Sequence, residues 1–330
     1  MTLATGIGSH PGDDQYAFDE AVRLVLGELP GLAYLPEVPG RGPSATMTGR
    51  SLAVMAELGA DLQPAGWRLT DASGIDHRRA RSLLGQDLDA LEEQAQGYAG
   101  IVKVQVAGPW TLAATVERPR GDKVLADFGA RRELAQAMAE GLVTHIADVR
   151  RRVPDAARLV VQVDEPALTA VLAGRVPTAS GFGRHRTVHP PEASQALGWV
   201  LDAISGAGAE PWVHSCASET PLDLLRGAGA EGFSVDQARL SARDLDELAA
   251  ALEAGQRVVL GVVPSTDPLE HVPNEGQVTE GVLRWTDMLG LDLDQIGDRL
   301  VLTPACGLAG ASPAWARTAL ELLQKAADNL

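Results

Sequence analysis

The chain has 330 residues, 45% of them hydrophobic and only 4% aromatic, with a formal net charge of −16. That length suits one large α/β barrel or two ordinary domains, and the acidity argues against a phosphate-backbone partner, so no nucleic acid is expected. No run of about 18 apolar residues is present to span a membrane, and the first residues, MTLATGIGSHPGDD, lack the basic-then-apolar order of a signal peptide, so a cytoplasmic protein is expected.

In chain order, short apolar runs alternate with longer helical stretches. Strands are expected at Thr5–Ser9, Ala33–Glu37, Val102–Ala107, Leu159–Asp164, Pro211–Ser215, Gly232–Asp236, Arg257–Val263 and Leu300–Pro304. Most are rich in Val, Ile and Leu without polar alternation, the pattern of parallel strands buried on both faces. Helical periodicity is expected over Asp14–Leu29, Asp87–Gly97, Ala130–Arg152, Pro191–Ala207, Asp244–Ala254, Gln277–Leu289 and Pro313–Asp328. Ser312 and Pro313 supply an N-cap and first-turn signal for the last of these. Another helix is expected to begin near Ser218, with Glu219 in its first turn, and to end at Gly227. Strand-then-helix repeated about eight times predicts a (β/α)8 barrel occupying residues 1–330 as one domain. No G-x-G-x-x-G opens a helix after the first strand, which disfavours a dinucleotide fold. Pro36–Arg50 and Val176–Pro191, rich in Gly, Pro and Arg, are expected to be long loops over one barrel face.

In such a barrel, function lies where strands end. The fifth strand ends in Trp212-Val213-His214-Ser215-Cys216, so His214 and Cys216 point the same way, and both suit zinc. Cys306, the only other cysteine, follows the eighth strand at the same barrel end. The competing reading is a hydrogen-bonded core histidine and two buried thiols. The fourth strand ends in Asp164 and Glu165. Adjacent carboxylates after a buried run need partners; one can face the mouth and meet a substrate ammonium, or the pair can cap a helix and join a surface ion pair. Gly8, after the first strand, allows backbone amides to approach a carboxylate, or simply makes a turn. Arg41, Arg50, Arg184 and Arg186 sit in the two long loops, where they bind substrate or partner carboxylates, or are solvated or paired locally.

The segments IGSHP, AGPWTL, VQVDEPAL, VHSC and PACGL occur in this order. Over about Gly6 to Gly307 they resemble the catalytic C-terminal domain of cobalamin-independent methionine synthase, in a barrel group that also holds uroporphyrinogen decarboxylase and the zinc methyltransferases that alkylate coenzyme M. The resemblance implies a zinc-dependent methyltransferase with Zn2+ on His214, Cys216 and Cys306, and with Asp236 at the position of the family's glutamate ligand. It implies that Asp164 holds the amino group of homocysteine and that Ile7, Gly8 and Ser9 receive its carboxylate. Zinc coordination would make the thiol a nucleophile at neutral pH. This sequence also departs from the family. Thr115 stands where a folate-stacking tryptophan is expected, Ala170 where a folate-contacting glutamate is, and Thr266 near the proton-donor histidine. His271, close by but out of register, is the candidate for that catalytic role. For the family's second acidic contact to the amino group, the stretch between Thr46 and Gly59 offers only Glu57, with no motif around it. The thiol half of the site is kept and the folate half altered, so the methyl donor is a methylated corrinoid protein or a methyl-folate. An alkyltransferase for another thiol, a metal-free decarboxylase and a non-catalytic zinc barrel with a closed site are the alternatives.

Overall fold

The computed structural model describes residues 2–330. β1 (Leu3–Ala4) leads to α1 (Gln15–Glu28), and β2 (Leu32–Tyr34) to α2 (Met47–Val54). A hairpin of β3 (Gly59–Gln63) and β4 (Gly66–Thr70) precedes α3 (Ile75–Gln94). Next come β5 (Ile101–Ala107) with α4 (Pro109–Thr115) and α5 (Phe128–Arg152), then β6 (Arg158–Asp164) with α6 (Leu168–Leu172) and α7 (Pro190–Gly206). β7 (Glu210–Ser215) is followed by α8 (Leu222–Gly227), and β8 (Gly232–Asp236) by α9 (Ala242–Glu253). β9 (Arg257–Val263) with α10 (Glu275–Leu289) and α11 (Leu293–Ile296), and β10 (Leu300–Pro304) with α12 (Pro313–Asp328), complete the chain.

Eight parallel strands lie side by side in the order β1, β10, β9, β8, β7, β6, β5, β2. The two ends meet above β1 and β2. There Ser9 pairs with Glu37, the Glu37 amide donates to Gly8 O at 3.0 Å, and the His10 amide donates to Glu37 O at 2.7 Å. The fold is therefore a (β/α)8 barrel. Its strands are buried on both faces, as β5 is along its whole length, which is why their sequences show apolar runs rather than alternation. The helices start on side-chain caps. Asp14 accepts from Ala17 N, Asp127 from Ala130 N and Ser312 from Trp315 N, while Ser241 with Asp244 and Asn274 with Gln277 make capping boxes.

Every second strand residue points into the barrel. At the N-terminal end Leu32, Ile101, Val160, Trp212, Val259 and Val301 form an apolar plug, with Leu3 against it. Gly232, beside Trp212, leaves the indole its room, since a Cβ there would lie 2.5 Å from Trp212 Cδ1. One inward step higher the polar residues are Tyr34, Lys103, Gln162, His214, Thr303 and, on β8, Ser234, all buried.

The eight expected barrel strands are present. The first is shorter and earlier than expected, because Gly6–His10 leaves β10 and crosses to Glu37. The Pro36–Arg50 stretch is not one long loop. It folds into two 3-10 turns, Pro39–Arg41 and Pro43–Ala45, and then enters α2. The hairpin was not foreseen. Trp67 and Leu69 are its buried face, and its outer strand exchanges bonds with Glu117 (Leu69 N to Glu117 O, 2.8 Å; Glu117 N to Trp67 O, 2.9 Å). The helix expected from Asp87 begins at Ile75. The early turns are charged and bury few side chains, His77 among them, whose Nε2 meets Leu52 O at 2.8 Å. The helix expected near Ser218 starts at Leu222, and Glu219 lies before it with φ 60.

Candidate metal centre

His214 and Cys216 lie at the end of β7, two residues apart and on one side of the chain. Cys306 comes off β10 in the turn after Pro304. The ligand atoms of these three residues all lie within 4.8 Å of one another, the one such group among the described residues. Both thiols are free, with Sγ atoms 2.9 Å apart, well beyond the roughly 2.05 Å of a disulfide. The two thiols are pushed in opposite directions. The hydrogen bond from Cys306 and the neighbouring His214 ring favour thiolate on Cys216, while the bond to Cys216 and burial push the Cys306 thiol up. His214 Nδ1 is 3.0 Å from Ser234 Oγ and 3.2 Å from Ser234 O. Donation to that carbonyl keeps the proton on Nδ1 and leaves the Nε2 lone pair for a ligand. Two sulfurs and an imidazole nitrogen so arranged fit a zinc ion.

Two neighbouring loops hold Cys306. Ala305 N donates to Val263 O at 2.8 Å, and Leu308 N to Ser9 O at 2.8 Å. Gly307 passes so near Ser9 that a Cβ would collide with its Oγ. The loop carrying one sulfur is thereby fastened to the Gly6–His10 segment. In that segment the Ile7, Gly8 and Ser9 amides donate to no protein acceptor among the described residues. Ile7 O instead receives Lys103 Nζ at 2.9 Å and Gln162 Nε2 at 3.0 Å.

The two adjacent carboxylates divide their roles. Glu165 turns outward and accepts from Trp110 N (2.9 Å), Thr111 N (2.8 Å) and Thr111 Oγ1 (2.7 Å), capping the start of α4. Burial raises its pKa to about 7 against the pull of those bonds. Asp164 turns inward, is 7% exposed, and accepts from Gln162 Nε2 at 2.7 Å. Burial pushes it up to about 6, with the His214 ring pulling the other way and Glu37 adding to the rise.

Glu37 and Lys103 were not foreseen as site residues. Glu37, buried where the seam closes, accepts from Gln105 Nε2 at 3.1 Å and forms an ion pair with Arg50, whose Nε is 3.3 Å away. Lys103 is fully buried, and burial lowers it to about 7 against the opposing fields of Asp164 and Glu37.

Other expected residues lie elsewhere. Asp236 is outside the metal-ligand group. Its carboxylate accepts from Ala238 N at 3.0 Å and Arg239 Nε at 3.1 Å, because the chain turns into a 3-10 segment there. His271 is exposed before α10, with Nε2 2.9 Å from Gln277 Oε1 in that helix's capping box, and is not among the ligand group. Glu57 is exposed at φ 58. Arg41 and Arg50 are buried and both pair with Asp87, a structural use, whereas Arg184 and Arg186 are exposed.

A barrel with a cluster of two thiols and an imidazole at its C-terminal mouth and buried carboxylates beside it defines the class. Residues 96–329 match the model of the cobalamin-independent synthase catalytic domain. The chain belongs to that family. A B12-independent methionine synthase from Shewanella sp. W3-18-1, solved with selenomethionine, shares the fold at TM-score 0.64 and 14% identity, covering 100% of this chain and 97% of that one. A 3-keto-D-glucoside 4-epimerase from E. coli aligns at TM-score 0.46 and 11% identity, over 98% of this chain and 99% of that one. No curated protein sequence matches. No helix among the described residues is long and apolar enough to cross a membrane.

Proposed function

We propose that the barrel is a zinc-dependent methyltransferase that methylates the thiol of homocysteine. The observation that carries this reading is the convergence of His214, Cys216 and Cys306 beside an inward carboxylate, Asp164, and the unpaired amides of Ile7, Gly8 and Ser9. Zinc held by the two sulfurs and the imidazole supplies the Lewis acidity that keeps a thiol deprotonated at neutral pH.

The chain's own residues do the rest. Ser234 fixes the tautomer and plane of the His214 ring. Asp164, with Glu37 behind it, receives the substrate ammonium, and the free amides of the first loop receive its carboxylate. A thiol whose amino-acid end is held at both charges presents its sulfur in one place. The selenomethionine bound to the Shewanella protein is itself an amino acid with a methylated chalcogen, in keeping with such a site. Asp236 has no part in this reading, so three protein ligands leave one position for the substrate. Thr115 and Ala170 at the folate-contact positions favour a methylated corrinoid protein over a methyl-folate as donor.

The test is metal analysis of the purified protein with homocysteine methylation assayed from both donors in parallel. One zinc per chain and methionine formation are expected, and Cys306→Ser should lose both together. Full activity in metal-free protein would sink the proposal, and transfer only to some other thiol would replace homocysteine in it.

A further inference from the structure

Inside the barrel, one layer below the mouth, a closed ring of hydrogen bonds joins three segments far apart in sequence. Lys103 Nζ donates to Ile7 O and to Gln162 Oε1, both at 2.9 Å. Gln162 Nε2 in turn donates to Ile7 O at 3.0 Å and to Asp164 Oδ1 at 2.7 Å. The amide orientation of Gln162 follows from this, because only its oxygen can accept from an ammonium. Lys103 has no exposed surface, and its Nζ sits 5.2 Å from the centroid of the Tyr34 ring. A lysine this buried is costly unless its charge is used. Around it stand Asp164 and Glu37, the two carboxylates whose fields favour its charged form.

We infer that Lys103 is the positioning residue of the amino-acid site and sets its selectivity for α-amino-acid thiols over simple thiols. By holding the Ile7 carbonyl inward it turns the following amides toward the mouth, where a substrate carboxylate binds. Through Gln162 it also fixes the oxygen of Asp164 that meets the substrate ammonium. One cation thus registers both charged ends of the substrate against each other, while the sulfur end is left to the metal ligands. Lys103 itself touches neither the substrate nor the metal in this arrangement. The inference rests on the proposed homocysteine reading and concerns a residue that reading does not require.

The test compares zinc-loaded full-length protein with Lys103→Met by calorimetric titration of L-homocysteine and of 2-mercaptoethanol. The wild-type protein should prefer homocysteine. The variant should lose about ten-fold or more of that preference, the loss expected for a charged hydrogen bond, while zinc content and mercaptoethanol affinity stay unchanged. A preference kept within about two-fold, or an equal loss for both thiols, overturns the inference. If Lys103→Met does not fold, Lys103→Gln, which keeps an amide donor group without the charge, is read by the same criteria. A wild-type protein with no preference overturns the homocysteine reading and takes this inference with it, a result distinct from failure of the variant alone.

Discussion

Two successive layers inside the same barrel are built to opposite rules. The lower layer, Leu32, Ile101, Val160, Trp212, Val259 and Val301, is wholly apolar. One inward step higher, Tyr34, Lys103, Gln162, His214 and Thr303, with Ser234 of β8 beside them, are buried and polar. Strand alternation points both sets inward equally, so distance from the mouth decides their chemistry. The lower layer fills space at low cost. The upper one must find a partner for each polar atom, and it does not wholly succeed. The Thr5 and Thr303 hydroxyls are buried with no hydrogen-bond partner.

The sharpest way to break that division is Trp212→Ala. It empties the centre of the plug and leaves Gly232 facing a void. The expected cost is about 3–5 kcal/mol in urea unfolding, by analogy with large-to-small core changes, with zinc content unaltered in the folded protein. Metal loss at unchanged stability would show that the two layers are not separable.

A smaller effect is expected one step higher, where Asp164 and Glu165 test the same division between neighbours. Glu165→Ala leaves the Trp110 and Thr111 amides without their acceptor, and should cost about 2–3 kcal/mol with thiol affinity retained. Asp164→Asn should do the reverse, keeping the unfolding midpoint and losing the preference for homocysteine. If both variants shift stability alike, Asp164 is a structural carboxylate like its neighbour.

The sequence made the candidate metal site legible because its chemistry is rare and its places are regular. Only two cysteines occur, and each follows the end of an expected barrel strand. The barrel was legible for a related reason, since strands buried on both faces read as apolar runs. What stayed hidden is what long-range closure creates. Glu37 lies in a Pro-rich stretch whose backbone acquires a partner only when Ser9 arrives from the first strand. Lys103, one cation among valines, announces nothing until Ile7 and Gln162 are beside it. The hairpin was missed because its alternation spans only β3 and β4, between two less regular segments. The local partners of Asp236 were hidden too, because its place in the motif says nothing of the turn after β8, which gives its carboxylate an amide and a guanidinium to bind.

Ser234 offers the finest test, because it belongs to the polar layer yet acts only through another residue. Its hydroxyl and carbonyl both face His214 Nδ1. Ser234→Ala removes the hydroxyl and keeps the carbonyl, so the tautomer survives and the ring loses one of its two anchors. Partners behind a metal-bound histidine are commonly worth ten- to hundred-fold in metal affinity. With one anchor left, a loss near the lower end is expected, about ten-fold or about 1.4 kcal/mol, read by competition with a zinc chelator. Unfolding in the absence of metal should barely change, since no apolar contact is removed. A loss as large as that of His214→Ala would mean that the hydroxyl, not the carbonyl, sets the proton's place. No loss at all would mean that the carbonyl alone orients the ring, and the polar layer's reach into the metal site would then run through backbone only.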